Sequence, residues 1–229
     1  MSETTGTRPG GRILVDALRL HGVDRLFCVP GESYLDVLDA LYDTPQIAVV
    51  VAKHEGAAAN MAEADGKLTG RPGICFVTRG PGATHASVGV HTAYQDSTPM
   101  ILFVGQIQRN ARGREAFQEV EFRQMFAPLA KWVAEIETAD RIPEYLLRAF
   151  QVATSGRPGP VVLAPERRQH RQRVRLREAG ERGAPLIGPA RAARNQERLA
   201  GAPQLVTHRR EVGVGRRRLH RVERLRIEN

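Results

Sequence analysis

Three short stretches of the chain carry residue types that could do chemistry. The first centres on Glu55, which follows the apolar run Ile47–Ala52 and Lys53-His54 and precedes Gly56-Ala-Ala-Ala59. A carboxylate there opens a helix, and two readings stand side by side. It is a cap or dipole partner for the helix N-terminus, or an acid poised in a half-buried cleft whose proton is retained by desolvation. The small residues after it let the helix lie close to a neighbouring backbone. The second stretch is Gly80-Pro-Gly82, a strand-to-helix turn whose backbone N–H groups could receive an anionic or polar ligand. It is not a dinucleotide fingerprint, because His85 stands where a third glycine or alanine belongs, and no Gly-Lys-Ser/Thr makes it a P-loop. A purely structural corner is the other reading. The third group is the seven histidines, which show no metal spacing. His85 and His91 are six apart, and His54-Glu55 has no second histidine four residues after the first. No metal is expected on residues 1–165.

The elements that must position these groups are legible as alternating periods. Ile13, Leu14, Ala17, Leu18 and Leu20 keep helical spacing, and Arg25–Pro30 reads as a short buried strand. Tyr34–Leu41 reads as a helix, Ile47–Val51 as a strand and His54–Leu68 as an alanine-rich helix broken by Gly70-Arg-Pro-Gly73. Ile74–Thr78 is a strand leading into helix Ala83–Tyr94, and Pro99–Val104 is another strand. An irregular stretch containing Phe117 and Phe122 precedes strand Trp132–Ile136, helix Pro143–Ala153 and strand Pro160–Leu163. Six apolar strands alternating with helices predict an α/β fold, a doubly wound parallel sheet with helices on both faces. Such a sheet binds its ligand at the carboxyl ends of its strands. Here those ends are Val29–Ser33, Ala52–Glu55, Thr78–Gly82 and Gly105-Gln106.

Charge divides the 229 residues in two. Residues 1–165 hold 16 Lys+Arg against 18 Asp+Glu, an ordinary globular balance. Residues 166–229 hold 18 Arg against 7 Glu, with no Phe, Tyr, Trp, Met, Cys, Ser, Lys or Asp, so a conventional second domain is not expected there. The organisation read from this is a flexible lead at 1–10, one domain over 11–165 and a basic, low-order tail over 166–229. Cys28 and Cys75 lie in apolar runs and read as buried thiols, which excludes a disulfide framework. No signal peptide or membrane-length apolar run is present, which gives the expectation of a cytoplasmic protein without membrane partners.

Six ordered motifs carry a resemblance. Phe27-Cys-Val-Pro-Gly-Glu-Ser-Tyr-Leu35, Lys53-His-Glu-Gly-Ala-Ala-Ala-Asn-Met-Ala-Glu63 and Thr78-Arg-Gly-Pro-Gly-Ala-Thr84 are followed by Tyr94-Gln-Asp-Ser-Thr-Pro-Met100, Gly105-Gln106 and Ala116-Phe-Gln-Glu119. In this order and spacing, over residues 11–165, the chain resembles the N-terminal pyrimidine-binding domain of thiamine-diphosphate enzymes of the acetolactate synthase type. The resemblance implies thiamine diphosphate as cofactor, a small 2-oxo acid as substrate, carboligase or decarboxylase chemistry and a homo-oligomer. It makes Glu55 the catalytic carboxylate that touches N1′ of the aminopyrimidine, with Pro81 and Gly82 bordering the ring. It puts Phe117 and Gln118 near the reacting substrate and Gly31, Glu32 and Ser33 on the same cleft. FAD use stays open. Two departures bear on the substrate: Pro30-Gly-Glu-Ser33 stands where the family usually has Pro-Gly-Gly-Ala, and His85 where it has Asn.

The family's Mg²⁺ and diphosphate motif, Gly-Asp-Gly followed by paired Asn, does not occur in the 229 residues. Mg²⁺ is therefore expected only with a full-length family site. The arginine-rich tail, whose residue types are largely those of GC-rich codons, reads as out-of-frame translation. The expectation is a fragment inactive by itself, with a tail that proteases remove. The alternative is a non-catalytic binding protein, either a regulatory paralogue or a basic-tailed nucleic-acid binder. No aromatic residue is available in the tail for stacking on bases, so no specific nucleic acid is expected.

Overall fold

The structure is a computed structural model that describes residues 7–166 and 173–175, the last three by their backbone. The chain divides into two units, 1–178 and 179–229, and every described residue falls in the first. In chain order the elements are β1 (Thr7–Pro9), α1 (Gly10–Leu20), β2 (Arg25–Cys28), α2 (Leu35–Tyr42), β3 (Ala48–Val51), α3 (Glu55–Thr69) and β4 (Gly73–Val77). They continue with α4 (Pro81–Gln95), β5 (Met100–Val104), α5 (Phe122–Phe126), β6 (Trp132–Ile136), α6 (Ile142–Thr154), β7 (Pro160–Pro165) and β8 (Arg173–Arg175).

Six of the strands form one parallel sheet in the order β3-β2-β4-β5-β7-β6. The expected doubly wound α/β fold is the fold of the chain. Residue alternation along β2, β4, β5, β6 and β7 feeds two cores. Leu26, Ile74, Phe76, Ile101, Phe103, Val161 and Leu163 pack against α1, α2 and α6. Phe27, Cys75, Val77, Met100, Leu102, Val104 and Val162 pack against α3, α4 and α5. Because β2 is followed in sequence by β3 on one side and by β4 on the other, the chain reverses its winding between β2 and β4. The crevice at the carboxyl ends of those two strands is the switch point where doubly wound sheets bind ligands.

Three features differ from the sequence-based expectation. The strand over 47–51 is an edge, paired only with β2, and Val51 is 61% exposed, so this strand is not covered on both faces. The irregular stretch contains a short helix, α5, which Phe122 and Phe126 anchor in the core. Thr7–Pro9, taken as part of a flexible lead, and Arg173–Arg175, taken as part of a low-order tail, form an antiparallel pair. Such a ladder is built from backbone groups and needs no apolar signal in the side chains. The tail's expected disorder and susceptibility to proteases concern residues 167–172 and 176–229, which lie outside the described residues, as do residues 1–6. Cys28 and Cys75 are free, buried thiols, and burial pushes both upward from the ordinary thiol range. Among the described residues no helix is long and apolar enough to cross a membrane.

Candidate functional site

The site grows from the packing of α3 on α4. Their buried positions are nearly all small: Gly56, Ala58, Ala59, Ala62 and Gly66 on α3, and Gly82, Ala83, Ala86, Gly89 and Ala93 on α4. At Gly89 a Cβ would stand 2.5 Å from Ala59 Cβ and 2.6 Å from the Ala59 carbonyl carbon. The helices are therefore in backbone contact, and their N-terminal turns open side by side at the carboxyl edge of the sheet. Glu55 is the first residue of α3, and Pro81 occupies the first turn of α4 after Gly80. Proline suits that place because its missing N–H would have no helical partner there.

Helix capping, the bland reading of Glu55, is done by another residue. His54 Nδ1 accepts from the Gly56 N–H at 3.1 Å, which puts the His54 ring proton on Nε2. The Glu55 side chain is 14% exposed, and its Oε2 lies 3.1 Å from His85 Nδ1. The other oxygen, Oε1, faces Gly82, where an added Cβ would come within 3.6 Å of it and within 2.9 Å of Thr78 Cγ2. Gly82 thus keeps open the space beside Oε1 that a side chain would fill. The rings of His54 and His85 stack at 4.9 Å. One ligand-capable atom from each of His54, Glu55 and His85 lies within 4.8 Å of the others, a cluster that sequence spacing did not disclose because His85 arrives from a different helix. All three members are engaged within the chain, His54 by the Gly56 N–H and Glu55 and His85 by each other.

The other expected residues converge on the corner between β4 and α4. Ser33 Oγ lies 2.8 Å from Thr78 Oγ1, and a Cβ at Gly31 would stand 2.6 Å from Thr78 Cβ. Gly105, at the end of β5, is closed against Ser33, whose Oγ would be 1.9 Å from a Cβ there. Glu32 pairs with Arg79, whose Nε also donates to the Phe117 carbonyl at 3.4 Å. Gln118 adopts φ 65° with its Cβ packed on Gly80, itself at φ 60°. The Phe117 ring is 77% exposed. The loop that carries it borders a shallow depression lined by Gly113, Glu115, Ala116, Gln118 and Glu119.

Glu55 with Gly82, Gly31–Ser33, and Phe117-Gln118 are thus brought to one corner, and Arg79 is the residue that joins the last two. Sequence reasoning gave Arg79 no role. A single arginine after an apolar strand has no period, and its partner Glu32 is 47 residues away. The one available signal was that Glu32 and Arg79 are opposite charges at the ends of neighbouring strands. A second polar group went unread: buried Glu135 takes Gln106 Nε2 at 3.3 Å and pairs with Arg112, while buried Glu166 accepts from the Arg109 N–H at 2.6 Å. These contacts fasten the segment after β5 to the ends of β6 and β7.

Residues 8–125 match the family described as "Thiamine pyrophosphate enzyme, N-terminal TPP binding domain". The chain is similar to the acetolactate synthase large subunit of Haemophilus influenzae, 41% identical over 154 residues, which is 67% of this chain and 27% of that protein. It is similar to the acetolactate synthase catalytic subunit, mitochondrial, of Aspergillus candidus, 37% identical over 156 residues, 68% of this chain and 22% of that protein. With acetolactate synthase isozyme 3 large subunit of Escherichia coli it shares 40% identity over 154 residues, 67% of this chain and 27% of that protein. The chain spans about a quarter of the length of these relatives.

Proposed function

This chain belongs to the thiamine pyrophosphate enzyme family through its N-terminal TPP-binding domain, and on that premise we propose that it presents the pyrimidine half of a thiamine-diphosphate site acting on small 2-oxo acids. When bound, the cofactor supplies a carbon nucleophile and an electron sink for decarboxylation or carboligation. The observation that carries the reading is the state of Glu55: a carboxylate 14% exposed, with one oxygen on His85 and the other facing the gap left by Gly82.

Each residue has a separate task in this reading. Glu55 Oε1 would hold or exchange a proton at the aminopyrimidine ring nitrogen, the oxygen being placed for it beside Gly82. His85 holds Oε2, so that Oε1 is the oxygen left to face the ring. Gly82 admits a flat ring beside Oε1, and Pro81 fixes the turn that carries Gly82. Ser33 and Thr78 tie the β2 loop to the β4 corner, and Phe117 and Gln118 close the substrate side. The diphosphate and its Mg²⁺ need the Gly-Asp-Gly type of motif, which these 229 residues do not contain. They lie outside the half of the site that these residues supply, so the 229 residues by themselves are expected to be inactive. The finer assignment to an acetolactate-synthase-like carboligase rests on the relatives at 37–41% identity.

Binding of thiamine diphosphate to the full chain, followed by backbone amide shifts, tests this. Saturable shifts at Glu55, Gly82 and His85 are expected. Glu55→Gln should weaken binding about tenfold or more, the range of a lost charge-assisted hydrogen bond. Shifts elsewhere only, or an unchanged affinity in Glu55→Gln, would remove Glu55 from the cofactor site. Consumption of pyruvate by the chain alone, with cofactor and Mg²⁺, would overturn the half-site assignment.

A further inference from the structure

We propose that Arg79 is the carboxylate-recognition residue of this site and that Glu32 is its internal stand-in, displaced when a small anionic substrate of the 2-oxo acid class binds. The place of the reaction is taken from the reading above, but the role of Arg79 stands on observations of its own.

Arg79 follows β4 and directly precedes the Gly80–Gly82 turn of α4. Its side chain is 7% exposed and reaches both loops expected to border the substrate. Nη2 pairs with Glu32 on the loop after β2, and Nε donates to the Phe117 carbonyl. Nη1 is buried and has no hydrogen-bond partner. A guanidinium stays cationic when buried, so an unanswered N–H group costs free energy until an acceptor is supplied. The two terminal nitrogens form a fork matched to the two oxygens of one carboxylate. Glu32 occupies half of that fork, through Nη2. It is also the accessible member of the pair, with its side chain 56% exposed.

These facts describe a cation already holding a carboxylate in an incomplete way. A substrate carboxylate that takes both Nη1 and Nη2 satisfies the buried atom and displaces Glu32 from the guanidinium. The N-terminal turn of α4 adds positive potential at the same corner. A neutral carbonyl compound gains neither contact, so the pair selects anionic substrates over neutral ones. A mere strut between loops would need neither the unanswered Nη1 nor an exposed partner.

The experiment titrates the full chain with pyruvate and follows the Arg79 Nε–H resonance together with the amides of Glu32, Phe117 and Gln118. Saturable shifts are expected at all four. Glu32→Gln should tighten pyruvate binding about fivefold, the upper range for removing a competing, half-exposed ion pair. Arg79→Gln should abolish the shifts, and Arg79→Lys should restore only part of the affinity because an ammonium lacks the fork. The Glu32→Gln and Arg79→Lys results decide the matter if Arg79→Gln fails to fold. Pyruvamide, the neutral analogue, should leave the four resonances in place. The proposal is overturned if no saturable shift appears at Arg79 in Glu32→Gln, or if the shifts persist in Arg79→Gln. Equal saturation by inorganic phosphate would likewise reduce the corner to a general anion sink and overturn it. No cofactor is present in the titration, so its outcome is independent of the aminopyrimidine assignment, which Glu55→Gln decides separately.

Discussion

The two faces of the sheet are built from different residues and do different work. On one face α1 buries Ile13, Leu14, Val15 and Leu18, and the strands present Phe76 and Phe103 to α1, α2 and α6. On the other, α3 and α4 bury mainly alanine and glycine. Large side chains keep helix and sheet apart and fill the space with apolar volume, which is where stability comes from. Small ones let two helices approach to backbone contact. The α3–α4 packing sets the distance between the first turns of the two helices. That distance places Glu55 against His85 and Gly82. The helices of one face hold on through large side chains, and the α3–α4 pair on the other sets the geometry of the candidate site.

The largest effect is expected on the first face. Phe76 is 1% exposed, stacks on Phe103 with ring centroids 4.4 Å apart and lies opposite it in the β4–β5 register. Phe76→Ala should lower stability by about 3–5 kcal/mol through lost transfer energy and a residual cavity. Urea unfolding measures this as a lower midpoint. In the fraction that remains folded, the imidazole ¹⁵N shifts of His85 should report an unchanged Glu55 contact. A variant of normal stability would show that the face does not carry the fold.

Gly89→Ala probes the opposite case. Its added carbon meets Ala59 backbone as well as side chain, so the helices must part. Overpacking of this kind costs about 1–3 kcal/mol, less than the phenylalanine deletion. The displacement reaches the site, however. The His85 ¹⁵N shifts should move towards those of a histidine free of Glu55, and thiamine diphosphate binding should fall with them. If stability drops while the His85 signature is kept, the small-residue face is ordinary packing and the contrast between the faces fails.

What the sequence disclosed follows the same division. Buried parallel strands are apolar runs bounded by turns, so all six strands of the main sheet were legible from residue types alone. The helix α5 was not, because five residues make little more than a turn and carry no period. The β1–β8 pair was not, because backbone pairing leaves no mark in the side chains. At the candidate site, the places of Glu55 and Gly82 where a strand ends and a helix begins were legible from residue types, whereas the roles expected of them came from the family resemblance. Arg79 and His85 contact partners 47 and 30 residues away, and only the folded chain joins them. Local signals reach as far as one element and its caps, whereas a constellation depends on which ends the topology makes neighbours.

The smallest expected effect lies at the rim of the site, in the loop that neither face buries. Glu119 closes this loop on itself: one oxygen takes the Gly113 N–H at 2.6 Å and the other the Ala116 N–H at 2.9 Å. The loop needs such a clasp because Glu115 and Gln118 both hold positive φ, 53° and 65°, which residues with a Cβ adopt at a cost. The Gly113 hydrogen bond, and after it the Ala116 one, holds the Glu119 carboxyl below the ordinary glutamate range. Between the lowered folded value and the ordinary unfolded one, the unfolded chain binds more protons. The clasp therefore contributes its stability above the unfolded value and loses it as pH falls through the folded one. Hydrogen exchange of the Gly113 and Ala116 amides, corrected for intrinsic rates, should lose protection on acidification below about pH 4, the usual carboxylate range. In Glu119→Gln that pH dependence should vanish, and protection should already be low at neutral pH, because an amide offers one oxygen to two N–H donors and no charge. Global stability should barely change, since the clasp sits on an exposed loop. Gln118 packs on Gly80, though, so loosening the clasp frees the Phe117-Gln118 side of the corner while Glu55 and His85 stay fixed by the helices below. Protection that is insensitive to pH would show instead that Gly80 alone holds the loop down.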